Sequence, residues 1–255
     1  VQVLALDFPP ISHLIEWPAI LFKDSKYFAV NKVVILMWIS VALVSLFYLA
    51  AARKRQLVPT GVQNVAESAV EFVREGIVLQ TMGPEGLPWT PFLLTIFSFV
   101  LVCNIWGIVP LAQMPVNARI ALPAFMAIVV WVLYNVIGIA KQGFFGYFKN
   151  IMFPPGVPKP IYLLLAPIEF VSTILVRPFS LAVRLFANML AGHLILVSFA
   201  VLATALFNAT YVGAALPGAM LVALTGFEIL VAFLQAYIFT ILTAVFIGGA
   251  MHPDH

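Results

Sequence analysis

The chain has 255 residues, of which 63% are hydrophobic and 9% charged, with a net charge of +3. Soluble domains carry about 25% charged residues, so the composition excludes an ordinary water-soluble fold and points to an all-α, polytopic membrane protein. Basic residues form no run beyond Arg53-Lys54-Arg55 and do not alternate with aromatics, so no nucleic-acid partner is expected. Cys103 is the single cysteine and lies in an apolar stretch, which leaves no disulfide or zinc framework. No metal and no cofactor are expected.

The whole chain, 1–255, reads as one membrane domain. Residues 1–32 hold prolines, Trp17 and mixed charges, as an interfacial N-terminal segment does. Asp7, Glu16 and Asp24 interrupt it, and it has no basic region followed by an apolar core, so no signal peptide is read there. Residues 33–52 are uncharged and long enough for a first span, since about 20 apolar residues cross the hydrocarbon core. In 61–79, Val62, Val65, Ala69, Phe72, Val73 and Ile77 recur at helical spacing opposite Gln63, Glu67, Glu71, Arg74 and Glu75, which predicts an amphipathic surface helix. A second span covers 91–109, a third 120–140, and a cytoplasmic loop with four prolines covers 143–160.

The region 161–208 is too long for one perpendicular crossing. Pro178 should break it at Arg177-Pro178, because proline removes a helical hydrogen bond. This predicts a short helix to Val176, then a long tilted one from Ser180 to Leu206. A loop over 208–217 and a second long tilted helix over 218–251 complete about five passes. Seven basic residues (Arg53, Lys54, Arg55, Arg74, Lys141, Lys149 and Lys159) then fall on one side, which basic-residue bias makes cytoplasmic.

Six polar residues interrupt the last apolar third: Glu169, Arg184, Asn188, His193, Glu228 and Gln235. A membrane-centred arginine costs at least about 2.5–3.5 kcal/mol on insertion scales, so it marks a partner, cavity or ion path. Arg177 joins them at the expected break. Arg184 and Asn188 lie about 40° apart on a helix, and His193 lies about 180° from Arg184. Glu228 and Gln235, seven apart, share a face. If the two long helices run antiparallel, Glu228 and His193 come to similar heights and can pair as a proton relay.

RLFANMLAGHLIL, followed by FEILVAFLQAYIFTILT, resembles the signature of subunit a of F-type ATP synthases. The resemblance extends to Asn104, Gly107 and Pro110, to PIEFVS around Glu169, and to QNVAESAVEFV. It implies a non-catalytic proton-channel subunit with no nucleotide chemistry, in a bacterial plasma membrane or, as the alternative, the mitochondrial inner membrane. The implied partners are a c-ring, peripheral-stalk b subunits, the lipid bilayer and the translocated proton. Carried over by position, Arg184 is the essential charge facing the ring carboxylates. Asn188, His193, Glu228 and Gln235 form the outer path, and Glu169 lies on the cytoplasmic path. The rival reading is a secondary transporter with a midplane charged site; those folds often carry internal repeats, and none is visible. His252 and His255 flank Asp254 in a terminal tail that reads as a chain end rather than a metal site.

Overall fold

A computed structural model describes residues 20, 30–53, 56–109, 112, 114–153, 161–209 and 211–251. Most of the N-terminal segment, Lys54-Arg55, the proline-rich stretch 154–160 and the His252/His255 tail lie outside the described residues. The described elements are helical. We label them α1 (Lys32–Arg53), α2 (Val62–Val73), α3 (Thr90–Ile105), α4 (Ala121–Gln142), α5 (Phe144–Met152), α6 (Tyr162–Val171), α7 (Arg177–Ala209) and α8 (Tyr211–Met251). Five helical stretches are long and apolar enough to cross a membrane: Lys32–Arg53, Pro84–Ile105, Ala121–Gln142, Tyr162–Phe207 and Gly213–Met251.

Local chemistry sets the helix ends. Asn31 caps α1 by accepting the Val34 N–H at 3.1 Å, one of the donors a helix start leaves unpaired. Gly143, at φ 75°, turns α4 into α5, a left-handed conformation that favours glycine. The amphipathic helix α2 runs on through a π turn, Arg74–Val78, and Leu79–Thr81. It buries Ala66, Val73, Ile77 and Val78, but Val62, Val65 and Phe72 of the expected apolar stripe stay exposed.

Three expectations are corrected. The stretch 143–160 is not all loop, because its four prolines fall at 154–160 and leave Phe144–Met152 free to form α5. The chain does not break at Arg177-Pro178. A π turn, Ser172–Val176, joins α6 to α7, and Pro178 falls in the first turn of α7, where a missing N–H is tolerated. No loop spans 208–217, since α7 continues to Ala209 and α8 begins at Tyr211. Pro217 lies inside α8, beyond its first turn, and the helix runs on past it without the bond its missing N–H would have made.

The chain forms two compact units. One comprises Val1–Leu46, Ser98–Arg119 and Leu185–Ala236; the other Phe47–Phe97, Ile120–Arg184 and Tyr237–His255. The boundaries fall inside α1, α3, α7 and α8, so each of these helices supplies a portion to both units. In the first unit Val100, Cys103, Met114, Val116, Leu185, Met189 and Ala232 are buried. In the second the buried set includes Val73, Ile77, Leu93, Val130, Tyr134, Leu181, Phe239 and Ile247.

Candidate functional site

The first unit holds a buried polar cluster on α7, α8 and the α3 end. His193, Glu228 and Gln235 are 6%, 5% and 7% exposed. Glu228 reaches across to α7 at Gly192: its Oε1 lies 3.1 Å from the point where a Cβ on that glycine would stand. Glycine at 192 therefore makes room for the carboxyl beside the turn that carries His193. No hydrogen bond or ion pair joins Glu228 to His193 among the described residues, and Glu228 Oε2 is buried without a hydrogen-bond partner there. A buried carboxyl in that state is costly for stability.

Beside it runs a network of which the sequence singled out only Asn104. Asn104 on α3 donates from Nδ2 to the Ala232 carbonyl on α8 at 3.3 Å and accepts from Asn117 Nδ2 at 2.7 Å. Asn117, on a short 3-10 turn (Val116–Ala118), is fully buried. Trp106 donates to Ser40 Oγ at 2.7 Å, and Ser40 donates to the Leu36 carbonyl at 2.8 Å. These bonds pin α3 and its following loop to α8, one turn from Glu228, and to α1. The only local signal was the polarity of Asn104 and Asn117 within apolar surroundings.

Helix α7 exposes Arg184, Ala187, Asn188, Ala191, Ile195 and Ser198, a spacing of three and four that makes one face. His193 is buried on the other side of the helix. The run Tyr162–Phe207 is the least buried of the five membrane-length stretches, so the arginine-bearing helix presents most of its surface outward. Arg184 has no hydrogen-bond or ion-pair partner among the described residues, and a charge on an apolar membrane helix is costly unless it meets a partner or a cavity.

The second unit contains Glu169, Arg177 and Arg184. Glu169 is half-buried on α6, one turn before the π segment. The Arg177 guanidinium stacks over the Phe246 ring at 5.4 Å, a cation–π contact that holds it inside the unit. Tyr134 donates to the Thr173 carbonyl at 2.6 Å, and Tyr147 donates to Asn135 Oδ1 at 3.1 Å. Burial raises the Tyr147 phenol above its ordinary pKa, with the nearby Arg177 charge opposing. Gln142 Nε2 reaches the Ala250 carbonyl at 3.2 Å, tying α4 to the end of α8. Among the described residues, no group of His, Cys, Asp and Glu is arranged to hold a metal ion.

Comparison with known proteins gives the family. The family model described as "ATP synthase A chain" matches residues 34–248. A protein of Frankia alni named ATP synthase subunit a is 44% identical over 88% of this chain and 79% of its own length. One of a Nocardioides species with the same name is 39% identical over 97% of this chain and 94% of its own. A third, from Rhodococcus erythropolis, is 42% identical over 89% and 84%.

The chain belongs to the ATP synthase subunit a family. It is a multi-pass membrane protein with bacterial relatives, part of the proton channel of an F-type ATP synthase, and it works in a complex with other subunits of that synthase. The secondary-transporter reading is set aside by the length and identity of these matches.

Proposed function

We propose that this subunit a carries protons through two offset half-channels that meet a rotating c-ring on the exposed face of α7. The observation that carries this reading is the placement of Arg184, exposed on an apolar helix with no partner among the described residues. Its guanidinium stays charged, as arginine does in proteins, and a ring carboxylate is the group such a charge would meet. The peripheral-stalk b subunits are its further partners.

Protons enter from the outer side through Glu228, His193, Asn188 and Gln235. His193, Glu228 and Gln235 are buried together in one unit, while Asn188 opens onto the exposed face. Glu228 and His193 take and release protons; Gln235 and Asn188 orient the path by hydrogen bonding. A carboxylate protonated there becomes neutral and can turn into lipid. On its return it releases the proton towards the cytoplasm near Glu169. Arg184 stands between the paths, favours the ionised form of an arriving carboxylate, and blocks a direct leak. The driving term is about 2.3 kcal/mol per proton per 100 mV. A lysine would be a poor substitute, because a desolvated lysine gives up its charge readily.

The test is ATP-driven acidification of vesicles bearing the whole complex. Arg184→Ala removes pumping entirely, and His193→Ala and Glu228→Ala each slow it by about 10²-fold, the scale of a lost proton-transfer group. Pumping retained in Arg184→Ala would make the arginine a packing residue and remove the basis for two half-channels.

A further inference from the structure

The helical run from Tyr162 to Ala209 passes Pro178 without a break, and the way it does so gives a role to a tyrosine 39 residues away. In an α-helix the Thr173 carbonyl would accept the Arg177 N–H. Here the Arg177 N–H bonds the Ser172 carbonyl instead, in the i→i+5 pattern of the π turn. The next donor in that pattern for Thr173 is residue 178, a proline, which has no N–H. Neither backbone donor therefore remains for the Thr173 carbonyl. The Tyr134 hydroxyl on α4 supplies one at 2.6 Å. Both residues are buried, at 2% and 4% exposure, so water does not readily replace that bond. The Tyr134 ring also packs on Phe246 at 5.7 Å, the same ring that lies under Arg177.

We infer that Tyr134 is a positioning residue for proton translocation, which caps the Thr173 carbonyl, holds the π turn open and so fixes the direction in which Arg184 faces. The inference rests on the reading of Arg184 given above. A π turn carries one residue more than the α turn it replaces, so closing it rotates all that follows by about 100°. Arg184 lies seven residues beyond Arg177 on uninterrupted α-helix, so the rotation reaches it undiminished. The exposed guanidinium would then leave the face it shares with Ala187 and Asn188.

Tyr134→Phe keeps the ring and removes only the hydroxyl. In the assembled complex we expect ATP-driven pumping to fall about tenfold or more, the scale set by leaving a buried acceptor unpaired. The direction of α7 is read with a photo-cross-linker on an introduced cysteine; the native Cys103 is buried. Ala187→Cys should cross-link to the ring in the parent protein, and in Tyr134→Phe the product should move to Phe186→Cys. Adding Pro178→Ala restores a backbone N–H for Thr173 and should return both pumping and the cross-link at 187, also where Tyr134→Phe alone assembles poorly. Pumping within about twofold of the parent with the cross-link unmoved, or loss that Pro178→Ala does not repair, would overturn the inference. Arg184→Ala run alongside separates the two ideas. Retained pumping there removes the reading of Arg184, whereas lost pumping there beside a normal Tyr134→Phe removes only the role of Tyr134.

Discussion

The carboxyl group of Glu228 lies over the bare Cα of Gly192, with Oε1 3.1 Å from where a side chain would begin. Valine at 192 would claim that space. We predict that Gly192→Val pushes the carboxylate from its seat and lowers ATP-driven pumping at least about tenfold, overpacking a tight site costing about 1–3 kcal/mol. Vesicle acidification measures this, and Gly192→Val with full pumping would show that the position of Glu228 does not matter.

Glu228 itself should trade stability for function. Its Oε2 is buried without a hydrogen-bond partner among the described residues, a state that costs roughly 1–3 kcal/mol for a polar group in mutational data. Glu228→Met fills the same volume without that cost. The variant complex should melt at a higher temperature in detergent and pump far less. A lower melting temperature would mean that the carboxyl has an unrecognised stabilising role.

Asn104 joins α3, the turn at Asn117 and α8 through two hydrogen bonds. Asn104→Leu strands the buried Asn117 amide, and the unpaired donor should cost about 1–3 kcal/mol. Asn104→Asp keeps the acceptor for Asn117 but loses the donor to Ala232. It also buries an ionisable carboxyl against that carbonyl, so it should lose more. Thermal unfolding of the two variants side by side checks the order.

Gly138 leaves the notch into which the Tyr147 ring fits, in direct contact with the place a Cβ would occupy. Gly138→Val should expel the ring, break the Tyr147–Asn135 bond and undock α5 from α4. Faster limited proteolysis at α5, with the spans protected, is the expected sign.

The spans were legible because uninterrupted apolar length is a local property; Val33 to Ala52 and Ile120 to Ala140 each match a helix to within a few residues. The segments around proline were not. Whether Pro178 breaks a helix depends on who satisfies the freed carbonyl, and the answer, Tyr134, lies on another helix. Helix α5 was hidden by prolines that crowd only the second half of its segment. Among the candidate residues, helical spacing did show that Arg184 and His193 lie on opposite sides of α7, since one is exposed and the other buried. It could not show that Gly192 makes room for Glu228, or that Asn117 closes a network with Asn104, because both depend on contacts between distant parts of the chain.

Passive proton flux shows whether Arg184 separates two half-channels. Vesicles holding the complete complex are placed under an imposed potential without nucleotide, parent beside Arg184→Ala. Flux should rise in the variant, because the barrier between the paths is gone while both paths remain. Flux no higher than in the parent, with ATP-driven pumping intact, would contradict that separation.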